Sequence, residues 1–196
     1  MAQHHSDFNI WLNTLVYDDR PKERKYTLSL ANLLHEDVRS RPMKAASPNI
    51  EALMISTYGY EDEVLAPVMA MKFPVFIINR DNDHPEGYVR RKHDGLPNFT
   101  LISPPKVRAG YGVFHTKLWL IKFKTFLRVV VCTSNQHLMD WAMWQNAYWY
   151  HDCPIRTLNE ASQSEEKEGF NNEVDFRETL EWVIQHMQPA GFNLLA

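Results

Sequence analysis

Cysteine is scarce in this sequence, and this scarcity excludes some classes of protein. Cys132 and Cys153 are the two cysteines among 196 residues. Two are too few for a disulfide scaffold, and no Cys-x-x-Cys spacing is present that would predict a metal or redox site. We therefore expect a reduced, intracellular protein.

Long apolar runs and clustered metal ligands are also lacking. No apolar stretch approaches the ~20 residues that a bilayer-spanning helix needs. The first residues, "MAQHHSDFN", contain no apolar core of a signal peptide, so we expect no secretion and no membrane partner. No Asp, Glu and His cluster has an obvious metal-ligand spacing. The sequence therefore favours chemistry without a metal or other cofactor.

Charge of either sign is modest overall but unevenly distributed. The net charge of -3 does not mark a nucleic-acid-binding protein. Residues 80–130, however, contain ten Lys and Arg against four Asp and Glu, whereas residues 153–182 contain eight acidic against three basic residues. The basic excess fits a surface for an anionic substrate, and it also fits chance clustering on solvated faces.

The pattern of apolar residues predicts a layered α/β domain. We expect helices at residues 8–17, 58–71 and 174–187, a short helix or ordered loop at 136–145, and a short strand or turn within 27–34. Strands are predicted at 51–57, 73–79, 99–103, 113–123 and 126–133, with Lys124 and Thr125 in a tight hairpin between the last two. A polar loop is predicted at residues 80–96, and a mobile one at residues 159–172. This order predicts an αβα sandwich, in which helices flank a mixed sheet.

The segment "VFHTKLWLI", residues 113–121, carries a histidine and a lysine two positions apart. Side chains alternate across a strand, so His115 and Lys117 are predicted on one face, with Cα atoms about 6.6 Å apart. The following strand runs back to the same end and leads into Ser134 and Asn135. The hairpin is thus predicted to gather an imidazole, an ammonium, a hydroxyl and an amide.

These four groups suit the cleavage of a phosphodiester. A neutral imidazole can attack phosphorus, a lysine can bind a non-bridging oxygen, and an amide can donate to another oxygen as charge develops. The same residues also suit an exposed polar face of a strand with no catalytic role.

The longer stretch "FHTKLWLIKFKTFLRVVVCTSNQHLMDW" resembles the first catalytic motif of the tyrosyl-DNA phosphodiesterases that act on DNA 3′ ends, a branch of the phospholipase D superfamily. The general superfamily motif is His-x-Lys-x4-Asp followed by Gly-Ser-x-Asn. Here Lys122 stands at the Asp position, and Thr-Ser-Asn replaces the second element. Both departures are those of the tyrosyl-DNA branch.

The resemblance implies one phospholipase D-like half over residues 1–196. It is weak over residues 1–47, whereas residues 48–150 form the implied catalytic core. Residues 140–149 resemble the family segment that comes after the motif, and "DFRETLEWVIQHM" resembles a helix of the same half.

The resemblance also implies roles for individual residues. His115 corresponds to the nucleophile, and Lys117 and Asn135 to phosphate-binding groups. Tyr111 stands where the family has an aromatic that stacks on a base, although it could equally anchor a loop. Asn146 replaces a family Gln near the phosphate, and Ser134 either contacts substrate or caps the adjoining turn.

By this resemblance, the activity is hydrolysis of 3′-phosphotyrosyl DNA linkages in the repair of trapped topoisomerase, in the nucleus. The implied partners are single-stranded DNA 3′ ends and a topoisomerase-derived tyrosyl peptide. Two alternatives remain: a non-catalytic DNA-end-binding domain, and a phospholipid hydrolase, which Lys122 makes the poorer choice.

The family has a second His-Lys-Asn set, and no other His-x-Lys occurs in this sequence. The family's second histidine is the general acid that protonates the leaving tyrosine. The missing set implies an N-terminal half of a longer protein, a truncated product, or a homodimer that pairs two copies of His115.

Overall fold

The chain folds around one large mixed sheet. In a computed structural model, the described residues are 10–13, 27–38, 46–81, 83–91, 95–106, 114–155, 176–189 and 191. Within them the strands are β1 (Ile10–Asn13), β2 (Thr27–Leu28), β3 (Ile50–Ser56), β4 (Val75–Ile78), β5 (Tyr88–Arg91), β6 (Phe99–Ser103), β7 (Leu118–Phe123), β8 (Phe126–Cys132) and β9 (Ala147–Pro154). The helices are α1 (Leu30–Leu33), α2 (Asp62–Met69), α3 (Leu138–Ala142) and α4 (Phe176–His186).

The strand order brings several strand ends to one edge of the sheet. The order is β2-β1-β9-β8-β7-β3-β4-β6-β5. Strands β3, β4 and β6 run parallel, whereas β7 is antiparallel to β3 and β8 is antiparallel to β7. The carboxyl ends of β3, β4, β6 and β8 therefore share an edge with the amino end of β7. Ligands of open α/β sheets commonly bind at such an edge.

Helices cover both faces of the sheet, as the sequence predicts. Because side chains alternate along a strand, Leu53 and Ile55 of β3 face one core, whereas Met54 faces the other. The first core includes Leu33 of α1 together with Leu65 and Val68 of α2. The second includes Met187, with Leu180 and Val183 of α4 packed against it. The predicted αβα sandwich is confirmed.

A buried arginine fastens α1 to the sheet. Arg128 of β8 is fully buried, and its Nε and Nη2 donate to the two carboxylate oxygens of Asp152, each at 2.7 Å. Its remaining donors reach the main-chain oxygens of Leu33, His35 and Glu36, at 3.0, 2.5 and 2.9 Å. One guanidinium thus hydrogen-bonds three carbonyls at and just after the end of a four-residue helix, where carbonyls lack intrahelical partners.

Most elements near the site agree with the sequence-based expectations. The predicted strands at 51–57, 73–79, 99–103 and 126–133 correspond to β3, β4, β6 and β8. Helices α2, α3 and α4 lie within the segments predicted for them, and β7 and β8 form the predicted hairpin around Lys124 and Thr125. The predicted mobile segment at 159–172 lies outside the described residues.

Three local predictions are wrong. Residues 8–17 were expected to be helical, but Ile10–Asn13 is a strand that pairs with β9 and β2, since short apolar runs fit either period. The expected loop at 80–96 contains β5, an edge strand with the exposed Arg90, a residue type that is common in loops. The strand predicted from residue 113 begins only at Leu118.

The helices in the described part of the chain are short. None of them is long and apolar enough to cross a bilayer.

Candidate active site

The segment before β7 is held at the shared edge by a serine from β3. The Ser56 hydroxyl donates to the main-chain oxygen of Thr116 at 3.1 Å and accepts from the Leu118 N–H at 3.0 Å. Ser56 is fully buried, so these bonds form away from water. They fix the entry into β7 and therefore the positions of the residues on either side of Thr116.

His115 and Lys117 are in direct contact within this entry segment. The Lys117 Nζ lies 2.6 Å from His115 Nδ1 and 3.0 Å from its Nε2, and it donates to the His115 main-chain oxygen at 3.1 Å. His115 is exposed and Lys117 is buried. The predicted proximity is present, although strand alternation does not cause it, because both residues precede the strand.

The ammonium of Lys117 is held in a low-polarity setting. Burial lowers the pKa of Lys117 below its usual value, and the nearby Cys132 thiol and Asp140 carboxylate partly oppose this shift. The Cys132 N–H donates to the Lys117 main-chain oxygen at 3.1 Å, which joins the entry of β7 to the exit of β8. A cation with little solvent around it interacts strongly with an anion that enters the site.

Asn135 approaches the same carboxylate. Its main-chain N–H donates to Asp140 Oδ1 at 3.1 Å. The Asp140 carboxylate also partly offsets the lowering of the Lys117 pKa by burial. The side-chain Oδ1 of Asn135 is buried with no hydrogen-bond partner among the described residues. Asp140 therefore links the lysine and the asparagine that the sequence predicts to share a phosphate.

Ser134 and Asn146 make contacts inside the protein. The Ser134 hydroxyl shares a hydrogen bond of 2.7 Å with the Tyr148 hydroxyl, and both residues are buried. Asn146 Oδ1 accepts from Thr133 Oγ1 at 2.8 Å, while its Nδ2 donates to the Asp140 main-chain oxygen at 2.9 Å. Both residues brace the loop after β8. Their direct contact with substrate stays a prediction.

Two residues at this edge were missed by sequence reasoning. Tyr58, an exposed residue just after β3, places its ring 5.3 Å from the His115 ring. Asp140 lies in the first turn of α3 and is buried. Asp140 offered a signal in the sequence, because it is an acidic residue close after Asn135. Tyr58 offered none, because sheet pairing brings it to the site. Tyr111, the predicted stacking residue, lies outside the described residues.

The site offers three groups for chemistry: an exposed imidazole, a desolvated ammonium and an adjoining amide. Among the described residues, no group of three or more His, Cys, Asp or Glu side chains is placed to hold an ion.

Comparison with known proteins identifies the family. The family model described as "Tyrosyl-DNA phosphodiesterase" matches residues 12–187. Tyrosyl-DNA phosphodiesterase 1 of Arabidopsis thaliana is 24% identical over 138 residues, which cover 68% of this chain and 22% of the plant protein.

Solved structures of the yeast tyrosyl-DNA phosphodiesterase share the fold. The yeast enzyme matches with a TM-score of 0.57 at 13% identity, over 90% of this chain and 37% of its own. A mutant of that enzyme matches with a TM-score of 0.59 at 13% identity, over 90% of this chain and 36% of its own. The chain thus spans well under half the length of these relatives. Since the family model covers most of the sequence, the chain belongs to the tyrosyl-DNA phosphodiesterase family.

Proposed function

We propose that this chain carries the nucleophilic half of a phosphodiesterase that hydrolyses 3′-phosphotyrosyl DNA ends. In this proposal the His115 imidazole attacks the phosphorus, a nitrogen–phosphorus bond forms, and the bond from phosphorus to the tyrosine oxygen breaks. The tyrosine leaves with a proton from a general acid. Water then attacks the phosphohistidine, releases a DNA 3′-phosphate and regenerates His115.

The contact between Lys117 and His115 carries the proposal. The Lys117 Nζ lies within 3.0 Å of the His115 ring nitrogens, so a phosphate that the ring attacks would also lie within reach of this cation. The neutral ring is the form that can act as a nucleophile. His115 is also exposed, so that a strand end can reach it without a change in the fold.

Lys117 and Asn135 would stabilise the phosphate as it reacts. The Lys117 ammonium gives a compact positive charge for a non-bridging oxygen. The Asn135 amide gives a donor for a second oxygen as negative charge grows. Asp140 accepts from the main-chain N–H of Asn135, which fixes the backbone from which the side-chain amide extends.

The general acid would come from outside this half-site. The sequence has no other His-x-Lys, and the family relatives are far longer than the matched region. We propose that the remaining part of a longer chain, or a second copy of this one, supplies the acid and later activates water. DNA repair at protein-blocked 3′ ends is the corresponding role.

The test uses two oligonucleotides with different leaving groups at the 3′ phosphate. Nitrophenol is far more acidic than tyrosine and leaves without a general acid. A preparation of the chain that its native mass shows to be monomeric should release nitrophenol in one stoichiometric burst and stall as a His115–DNA adduct, detected by mass spectrometry. The tyrosyl substrate should react only when the complementary half is added.

The matched variants are His115→Ala and His151→Ala, which replace two exposed histidines. The first should abolish the burst, and the second, on β9, should leave it unchanged. An adduct at a residue other than His115 would refute the mechanism.

A non-catalytic DNA-end-binding domain is the second candidate, because the sequence contains one His-x-Lys. Under that function the chain would bind a 3′-phosphorylated strand but give neither burst nor adduct with the nitrophenyl substrate. The same experiment therefore separates the two.

A further inference from the structure

A cavity lies beside His115 on the side of the sheet covered by α4. Its volume is about 510 Å³, within the range of roughly 300–1,000 Å³ that holds small ligands. The loops after β4 and β6, the entry segment of β7 and the last turns of α4 enclose it. Its lining includes Arg80, Lys106, His115, Trp182 and His186.

An exposed tryptophan forms one wall of this cavity. Trp182 of α4 is 59% exposed, and its ring stacks on that of His186 with centroids 4.0 Å apart and planes at 28°. His186 Nδ1 lies 2.7 Å from the Trp182 main-chain oxygen. A carbonyl only accepts, so Nδ1 must carry the hydrogen, and the bond holds the imidazole against the indole. The imidazole thus covers one face of the indole, and most of the remaining ring is solvent-exposed.

The charge of the cavity wall favours an anionic polymer. Arg80 and Lys106 line it, and no carboxylate does so among the described residues. Aromatic rings beside cations are the combination that binds single-stranded nucleic acid, since every base has a face that stacks. A peptide ligand would gain nothing from this excess of positive charge unless it were acidic.

We propose that this cavity is a nucleobase subsite, in which a base near the 3′ end of the strand stacks on Trp182. Arg80 and Lys106 face the phosphates next to that base. The inference rests on the proposed function, because the position of His115 places the terminal phosphate at the mouth of the cavity. It assigns the DNA strand, and not the tyrosyl peptide, to the α4 side of the site.

The test measures the affinity of the purified chain for a labelled, 3′-phosphorylated single strand by fluorescence anisotropy. Trp182→Ala should weaken binding roughly 5- to 100-fold, the effect of one lost base stack, whereas Trp182→Phe should retain most of the affinity. Trp144→Ala is the matched control, because Trp144 is 55% exposed and does not line the cavity. It should bind as the wild type does.

Abasic strands separate stacking from a structural effect of the substitution. Each nucleotide near the 3′ end is replaced in turn by an abasic site. At the position whose base stacks on Trp182, the wild type and Trp182→Ala should bind with equal affinity, because neither can form the stack. Equal loss by Trp182→Ala on normal strands and on every abasic strand, or no loss at all, would overturn the subsite. If Trp182→Ala weakened binding of a phosphotyrosyl peptide and left DNA binding unchanged, the cavity would belong to the leaving peptide. That result would also overturn the nucleobase subsite. Binding needs no turnover, so a missing His115 adduct would refute the proposed function alone.

Discussion

Replacing Arg128 with methionine should remove a large part of the stability of this fold. The guanidinium is fully buried, with its side chain between Asp152 and the three carbonyls at the end of α1. It also lies 5.1 to 5.3 Å from the centres of three aromatic rings, those of Phe123, Phe126 and Tyr150. Methionine keeps most of the stem packing but donates no hydrogen bond.

The size of the effect depends on which partners water can reach. Removing one partner of a buried ion pair costs about 3–5 kcal/mol. The Asp152 side chain is 35% exposed, so water can hydrate that carboxylate again, which places the expected loss near the lower limit, about 3 kcal/mol. With a urea dependence of about 2 kcal/mol per molar, the unfolding midpoint should fall by roughly 1.5 M.

The assay is urea unfolding followed by far-UV circular dichroism, with Lys122→Met as control. Lys122 forms an ion pair of 3.0 Å with Glu51, and both side chains are about half exposed. Such surface pairs contribute about 0–1 kcal/mol, so the control should hardly move the midpoint. If Arg128→Met changed stability by no more than the control, the interpretation of Arg128 as the anchor of α1 would be wrong.

Three further predictions concern the site and its surroundings. Lys117→Met should slow formation of the His115 adduct by roughly 100- to 1,000-fold, as measured by adduct kinetics. It should not lower the thermal midpoint, because burial lowers the pKa of Lys117 and the buried charge therefore destabilises the fold. A lower midpoint in a thermal melt would contradict this account of the buried charge. Burial raises the pKa of Cys132 to about 11 from an ordinary 9.0, so the stability that depends on the protonated thiol is complete below pH 9 and is lost as the pH rises through 11. Across that window the melting temperature should fall less steeply with pH for Cys132→Ala than for the wild type. An identical slope would exclude the Cys132 thiol as a source of the pH dependence. Single-stranded DNA affinity should fall with salt by ~0.7 in log K per phosphate neutralised, and Lys106→Ala should reduce that slope by about 0.7 in a salt titration; an unchanged slope would remove Lys106 from the phosphate contacts.

Sequence reasoning succeeded where structure depends on short-range pattern. The β7–β8 hairpin was predictable because two apolar runs flank Lys124 and Thr125, and neighbouring strands need no information from elsewhere in the chain. Strands at the sheet edge were not predictable in this way. β5 carries the exposed residues of an edge strand, and β1 is too short for its period to be decisive.

The same distinction holds for the site. His115 and Lys117 were predicted together because they are two positions apart, although their contact depends on Ser56 from a distant strand. Trp182 and Tyr58 could not be assigned to the surroundings of His115, since sheet pairing and the packing of α4 bring them there. Long-range packing leaves no periodic trace in the sequence.

The groups proposed to act on phosphorus all belong to one hairpin and its two flanks. His115 and Lys117 precede β7, and Asn135 comes after β8. The walls around them come from other segments, such as α4 and the loops after β4 and β6. Natural selection can therefore alter the walls, and with them the preferred strand or blocking group, while the reacting groups keep their spacing. Under the proposed function, the hairpin would supply the reacting groups, and the surrounding walls would determine which DNA ends can reach them.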